Sequence, residues 1–153
     1  MIMLHYPVRH LLRCSFLVLL MTFSAGWVKA DDKAAATAAR LVPQQEKEGY
    51  EFRAEGWLNN LDPDMGRAVR IQMFKGNEYA FCIAVPPESG VHVTAAVLDF
   101  EGKPGGEILP VQAGWGVVLF YKPKKTGTYV VAIRQTDGGK KKKVSCAMFT
   151  GWK

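Results

Sequence analysis

Histidine is scarce in this chain of 153 residues, which contains only three. Two of them, His5 and His10, lie near the N-terminus, and His92 is the one that remains farther along the chain. Catalytic zinc usually takes three protein ligands, so the single histidine beyond the N-terminal segment excludes a histidine-rich zinc site there.

Long apolar runs are lacking as well. The run Ser15–Phe23 has nine residues, whereas a helix needs roughly 20 to span a bilayer. This run follows the positive residues Arg9 and Arg13 and leads into small residues that end at Ala30, the order found in a secretory signal peptide. We therefore expect cleavage after Ala30, a mature chain that begins at Asp31, and a secreted or periplasmic location.

A strong excess of charge is also missing. The chain has 20 basic and 14 acidic residues, a net charge of +6. Loss of Arg9, Arg13 and Lys29 with the signal peptide leaves 17 basic residues and a net charge of +3. The pattern does not resemble the continuous basic face of a nucleic-acid binder, so we expect no nucleic-acid partner.

Many segments of the chain alternate apolar and polar residues with the period of two that is typical of β-strands. Residues 50–54 alternate apolar and charged side chains, which predicts a half-buried strand. Short segments rich in valine, isoleucine and aromatic residues follow, separated by turn residues as at 59–66 and 137–139. Seven or eight such strands without a convincing long helix predict an all-β domain over residues 49–153, an antiparallel β-sandwich or jelly roll.

The strand that begins at Gly127 is expected to lie at the centre of the core. Its residues are rich in valine, isoleucine and aromatic side chains. Their alternation places Tyr129, Val131 and Ile133 on one face, and we expect that face to point inward.

Residues 31–48 form an alanine-rich segment before the strands. Acidic residues ahead of the alanines favour a short helix, and Pro43 stops it. Because nearly all of its apolar residues are alanines, the segment has little to bury. We expect a frayed helix or a disordered linker rather than a core element.

Three stretches in the β domain share a pattern with a known family. Residues 75–81 (KGNEYAF) join a glycine turn to a Tyr-x-Phe strand, residues 97–102 (VLDFEG) end a strand in Asp-x-x-Gly, and residues 124–131 (KKTGTYVV) enter a late strand through Thr-Gly-Thr-Tyr. With the opening segment 61–64 (LDPD), they resemble the bacterial pre-peptidase C-terminal (PPC) domain family. The resemblance implies a non-catalytic β-sandwich that accompanies other secreted domains, and some members of that family bind calcium.

Asn60, Asp62 and Asp64 present oxygen ligands at alternate positions, as at the start of a calcium loop. Gly66 comes one place late for that motif, and no acidic residue completes the site at the usual distance. An Asx-rich turn is the favoured interpretation, and calcium is the one cofactor that the pattern suggests.

Trp115 is a candidate binding residue because Gly114 and Gly116 flank it, which would leave its flat face uncovered for a sugar or a peptide. The alternative, which we favour, is a tryptophan that fills the core or covers a sheet edge.

Four adjacent lysines follow the turn at residues 137–139. They are Lys140, Lys141, Lys142 and Lys143. Such a cluster can bind an anionic surface such as phospholipid head groups or an acidic polymer. The favoured alternative is a solvated hairpin tip that blocks edge pairing between sheets.

Ser89 and His92 lie three residues apart and are the one imaginable nucleophile–base pair. A catalytic pair needs a base within hydrogen-bond reach that a third group orients, and no flanking motif supports this. Ordinary loop and strand roles are favoured. Hydrolysis by paired carboxylates stays open, since acidic residues distant in sequence can meet in space.

Cys82 and Cys146 remain after loss of the signal peptide, an even pair in an oxidising compartment. We expect them to form a disulfide that closes a loop of 63 intervening residues, worth about 4 kcal/mol in loop entropy. The alternative is two separate buried thiols, because Cys82 alternates with Ala80 and Ala84 on the face opposite Phe81.

These observations favour a secreted, non-enzymatic β-sandwich module that binds a protein or a cell-envelope surface component. One alternative is a carbohydrate-binding module that uses Trp115. The other is a small secreted hydrolase that uses carboxylates, or Ser89 with His92.

Overall fold

The structure is a computed structural model that describes residues 30–153, with side chains from residue 33 onward. The predicted signal peptide lies outside the described residues apart from Ala30, where the first helix begins. No helix within residues 30–153 has the length and apolar character needed to cross a membrane.

Residues 30–153 form ten strands, preceded by two helices, α1 (Ala30–Ala39) and α2 (Val42–Lys47). A 3₁₀ turn at Pro87–Ser89 follows the fourth strand. The strands are, in chain order, β1 (Glu51–Phe52), β2 (Trp57–Leu61), β3 (Arg67–Met73), β4 (Tyr79–Ala84), β5 (Val93–Leu98), β6 (Pro104–Gly105), β7 (Glu107–Pro110), β8 (Gly116–Tyr121), β9 (Gly127–Gln135) and β10 (Val144–Trp152).

The strands make two antiparallel sheets. The six-stranded sheet has the order β1-β10-β4-β8-β7, with β2 also paired to β10, and the four-stranded sheet has the order β3-β9-β5-β6. The predicted antiparallel all-β sandwich is confirmed, whereas the jelly-roll connectivity stays a prediction. The strand count exceeds the expected seven or eight because β6 has only two residues, too few to show a period in the sequence, and because β2 (Trp57–Leu61) includes residues 59–61, which the sequence predicts as part of a turn.

The core lies between the two sheets and is built from alternating strand residues. On β9, Tyr129, Val131 and Ile133 are all buried and belong to this core, which confirms the predicted inward face. Phe81 and Leu119 meet them from the six-stranded sheet and are fully buried. A β-strand turns alternate side chains to opposite faces, so one buried face places every second residue in the core.

Helix α1 adds a third layer on the outer face of the six-stranded sheet, which differs from the expected linker. Ala34 and Ala38 of the helix are fully buried against Ala84 and Ala147 of the sheet. Alanine on both surfaces lets the helix backbone approach the strands closely, so the contact gains dispersion energy although each side chain is small. The expectation failed because it weighed only the apolar area of the helix and ignored the matching small residues on β4 and β10.

Strand β4 carries the sequence signature of that extra layer. All six of its residues are buried, because large side chains face the core and small ones (Ala80, Cys82, Ala84) face outward. A strand with alternating large and small apolar residues is thus covered on both faces.

The expected disulfide is absent, and Cys82 and Cys146 are free, buried thiols. Strand register gives the reason. Cys82 lies opposite Phe149 on β10, on the outer side of the sheet that carries Ala84, whereas Cys146 faces the core between the sheets. The two thiols therefore point to opposite faces of one sheet and cannot form a bridge without a rearranged backbone.

Both thiols are expected to resist alkylation in the folded chain. Burial raises the pKa of Cys82 and of Cys146 to about 12, so at pH 8 the reactive thiolate is nearly absent and the reagent has no access. We expect iodoacetamide to label both residues in denaturant without a reductant and neither residue in native buffer, as read by mass spectrometry. Protection of both thiols in the denatured, unreduced chain would instead indicate a bridge.

Candidate functional site

A cleft of about 570 Å³ opens at one end of the sandwich, where the chain after β5 meets the loop between β8 and β9. We call it the aromatic–lysine cleft. Its lining residues are Asp99, Phe100, Glu101, Lys103, Pro104, Gly105, Tyr121, Lys122, Lys124, Lys125 and Tyr129.

The turn after β5 holds one wall of this cleft in place. The Asp99 carboxylate accepts the backbone N–H groups of Glu101 and Lys103, each at 2.9 Å. Gly102 has a φ of 76°, a conformation that glycine adopts without strain. The Asp-x-x-Gly pattern is thus an Asx turn that projects Phe100 over the cleft.

Three aromatic rings line the base and the wall. The Tyr129 ring centroid lies 4.8 Å from that of Phe100 and 5.4 Å from that of Tyr121. Tyr129 is 2% exposed and its hydroxyl donates to the Lys125 carbonyl at 2.8 Å, whereas Phe100 is 57% exposed. A Cβ at Gly127 would lie 2.6 Å from the Phe100 ring, so the Thr-Gly-Thr-Tyr pattern makes room for this ring.

Lysines outnumber acidic residues in the lining of the cleft by four to two, and the acidic residues are Asp99 and Glu101. Lys103 pairs with Glu101 at 3.0 Å, and within the described residues Lys122, Lys124 and Lys125 make no ion pair with any carboxylate. Buried Pro123 anchors the loop that carries these three lysines. The rim therefore offers three ammonium groups that an anionic ligand can neutralise.

The hydroxyl of Tyr121 stays protonated at neutral pH. Burial raises the pKa of this phenol above its usual value, with smaller contributions from Tyr129 and Asp99. Tyr121 is half-buried, so its hydroxyl remains a neutral hydrogen-bond donor beside the lysines. The cleft thus combines exposed ring faces with ammonium and hydroxyl donors.

The four-lysine cluster is divided by the structure. Lys141 pairs with Asp137 at 3.3 Å, and the Lys140 backbone N–H donates to the Gly90 carbonyl at 2.7 Å. Lys142 and Lys143 instead line a second cleft of about 420 Å³.

The two clefts lie at opposite ends of the sandwich. The loop that carries the aromatic–lysine rim leads into β9 at Gly127, and the lysine cluster follows its end at Gln135. At about 3.4 Å per residue, β9 separates its two ends by about 27 Å. One small ligand cannot contact both clefts.

Trp115 does not form an uncovered platform. Its ring is half-buried and packs against both the inter-sheet core and the layer under α1. The flanking glycines serve close packing, since a Cβ at Gly114 would lie 2.5 Å from the His92 ring and one at Gly116 would lie 2.9 Å from the Ile83 carbonyl.

The calcium candidates lie at the end of β2 and in the turn after it. Asp62 is paired with Arg67 at 3.0 Å and with Lys143 at 3.9 Å, and Arg67 also donates to the Asn60 carbonyl. Asp64 is exposed in the turn. The part of the chain from residue 30 onward holds no group of three or more histidine, cysteine or acidic side chains suited to a metal.

Ser89 and His92 are not joined by a hydrogen bond in the described part of the chain. The Ser89 Oγ accepts the Val91 backbone N–H at 3.1 Å. The His92 ring lies against two loops, close to where a Cβ would stand on Gly114 or Gly138. Both residues thus have structural contacts.

Sequence reasoning missed Phe100, Tyr121 and the lysines of the β8–β9 loop as a site. Two of the stretches that carry the family resemblance, 97–102 and 124–131, border the cleft. The third meets them through the Lys75 backbone N–H, which donates to the Thr126 hydroxyl at 3.0 Å. The signal was present as motifs, but their meeting at one end of the sandwich is a tertiary property.

No model of a known protein family matches this chain, and neither the curated proteins nor the solved structures provide a match. The resemblance to PPC domains stays a prediction that rests on the three motifs.

Proposed function

We propose that the chain is a secreted, non-enzymatic binding module that holds an acidic polysaccharide of the cell envelope in the aromatic–lysine cleft. One observation carries the proposal: exposed aromatic faces lie beside three lysines that have no carboxylate partner in residues 30–153. The proposal keeps the predicted role of a module that binds an envelope surface. It moves the carbohydrate-binding alternative from Trp115 to Phe100 and Tyr121.

The chemistry of the lining selects a ligand with both an apolar face and negative charge. Sugar rings present axial C–H groups that pack on the electron-rich face of an aromatic ring such as Phe100 or Tyr121. Carboxylates on the same sugar accept charge-assisted hydrogen bonds from Lys124 and Lys125, which are stronger than neutral ones. A neutral sugar would leave the three ammonium groups without a counter-charge.

A polymer suits the shape of the cleft better than a small molecule. The lysines that line the cleft are exposed at the surface of the molecule. Exposed ion pairs contribute little singly, so useful affinity needs several repeats of the ligand along the surface.

Titration of the protein with polygalacturonate tests the proposal, with dextran as the neutral polymer. We expect binding of polygalacturonate that weakens with salt and none of dextran. The double variant Lys124→Ala/Lys125→Ala is expected to weaken binding about tenfold, the effect of losing two charge-assisted contacts. Phe100→Ala should weaken it as well, because the exposed ring supplies the apolar contact.

The matched control is Lys140→Ala/Lys141→Ala, which removes the same charge at the other end of the sandwich. Its binding is expected to stay within about twofold of the unchanged chain. Equal loss in both double variants would mean that net charge alone drives association, and binding that ignores Phe100→Ala would remove the aromatic part of the proposal.

A further inference from the structure

The second cleft, at the opposite end of the sandwich, has a different lining. Its polar residues are Lys33, Asn60, Ser89, Lys142, Lys143 and Ser145, with Glu88 at the side. We call it the serine–lysine cleft. No aromatic side chain of the described residues lines it, so stacking with a sugar ring or a base is not available there.

Four separate elements build this cleft. Helix α1 brings Lys33, β2 brings Asn60, the 3₁₀ turn brings Ser89, and the start of β10 brings Ser145. The two serines are 6% and 4% exposed, so both hydroxyls sit at the base while the lysines stand above them. Because α1 contributes to the wall, the cleft exists only while that helix is docked.

A hydrogen bond from the backbone holds the Ser89 side chain in place in the cleft. The Ser89 Oγ accepts the Val91 N–H at 3.1 Å, and in residues 30–153 no acceptor takes the Ser89 O–H. A hydroxyl carries one donor and two acceptor positions, so this group can still donate to a ligand. Ser145 is held by a contact of its own.

Three lysines line the cleft together with the Glu88 carboxylate, and two of the three are already ion-paired. Lys33 lies 3.0 Å from Glu88, and Lys143 lies 3.9 Å from Asp62. Lys142 makes no ion pair within the described residues. Lys142 is therefore the cation most available to a ligand, and Glu88 restrains Lys33.

We infer that the serine–lysine cleft binds a phosphate group. A phosphate monoester carries about −1.5 to −2 charges at neutral pH and three strong acceptor oxygens, which matches several ammonium groups above a hydroxyl donor. A carboxylate has two oxygens and one charge, so it would leave part of this donor set unused. The inference is independent of the proposed polysaccharide site, since the two clefts share no residue.

Two neighbouring lysines make a sharp test, because they carry the same charge and only one lines the cleft. The full chain is titrated with inorganic phosphate and followed by calorimetry or by amide chemical shifts. Lys142→Glu is expected to weaken binding at least about tenfold. Lys141→Glu, outside the cleft, is expected to change it by less than about twofold. Both side chains are exposed, so unchanged melting temperatures show that the variants fold.

A third variant is expected to act in the opposite direction. Glu88→Gln removes the carboxylate that holds Lys33, and the freed ammonium should tighten phosphate binding several-fold. A purely structural role for Glu88 would not produce tighter binding.

The phosphate group can belong to a lipid or to a soluble molecule, and sedimentation with vesicles distinguishes them. Binding to vesicles of phosphatidic acid, a lipid phosphomonoester, in phosphatidylcholine, with the same order among the variants, identifies a lipid head group. Saturable binding of inorganic phosphate without vesicle binding identifies a soluble phosphate. Absence of saturable binding to both probes, or equal loss in Lys141→Glu and Lys142→Glu, would overturn the inference.

Discussion

Replacing Tyr129 by alanine is expected to lower the free energy of unfolding by about 3–5 kcal/mol, the range for loss of a large buried ring. Tyr129 is almost fully buried at the start of β9 and packs against the rings of Phe100 and Tyr121. Its removal leaves a cavity, and β9 is a central strand with β3 on one side and β5 on the other. Neither neighbour can close the cavity without losing its own register.

Chemical denaturation of the protein measures this loss, and two variants separate its causes. Tyr129→Phe keeps the ring and removes the hydroxyl that donates to the Lys125 carbonyl, so we expect a loss of about 1 kcal/mol. Thr128→Ala, at the exposed neighbouring position, should change stability by about 0.5 kcal/mol or less. A Tyr129→Ala chain as stable as the parent would show that the ring lies outside the core.

Replacing Ala38 by glutamate is expected to cost about 3–5 kcal/mol, or to detach α1 if detachment costs less. Ala38 is fully buried between the helix and the six-stranded sheet. A glutamate there has no room and no cationic partner among the alanines around it, so its charge would be desolvated without compensation. This substitution therefore tests directly whether α1 packs against the six-stranded sheet.

Ala36→Glu is the matched control, since Ala36 lies on the same helix and is exposed. We expect it to change stability by about 0.5 kcal/mol or less. Hydrogen exchange across α1 supplies a second reading, with fast exchange in Ala38→Glu and protection in Ala36→Glu. Equal behaviour of the two variants would contradict the three-layer arrangement.

Loss of α1 docking should also impair phosphate binding, because Lys33 reaches the serine–lysine cleft from that helix. The aromatic–lysine cleft contains no residue of α1 and should keep its ligand in a chain that remains folded. The two sites are therefore separable by one substitution in the helix.

Local sequence pattern predicted the strands and their inward faces well. Alternation along β9 placed Tyr129, Val131 and Ile133 in the core, because side-chain direction in a strand depends only on the strand's own backbone. The turn after β5 was also readable, since Asp99 and Gly102 carry the chemistry that its Asx turn requires, whereas residues 59–61 of the predicted turn 59–66 belong to β2. Strand faces and tight turns depend on residues only a few positions apart, so the sequence alone can predict them.

The residues of the two clefts were harder to predict from the sequence, because each cleft depends on which distant segments contact one another in the fold. The lysine cluster looked like one feature, yet strand and loop geometry sends Lys142 and Lys143 into a cleft and leaves Lys140 and Lys141 outside it. Phe100 carried no local signal of a site, because the β8–β9 loop that lines the cleft with it is distant in sequence. Contacts between segments distant in sequence carry no local period.

The sequence by itself determined that the domain is all-β with short antiparallel strands. It also determined which face of β9 points inward, because hydrophobic alternation is a local property. Only the tertiary structure decided the state of the cysteines and the role of the alanine-rich segment. The register of β10 between β2 and β4 places Cys82 and Cys146 on opposite faces. The same register brings Ala147 beside Ala84, and this surface of small side chains is what allows α1 to dock.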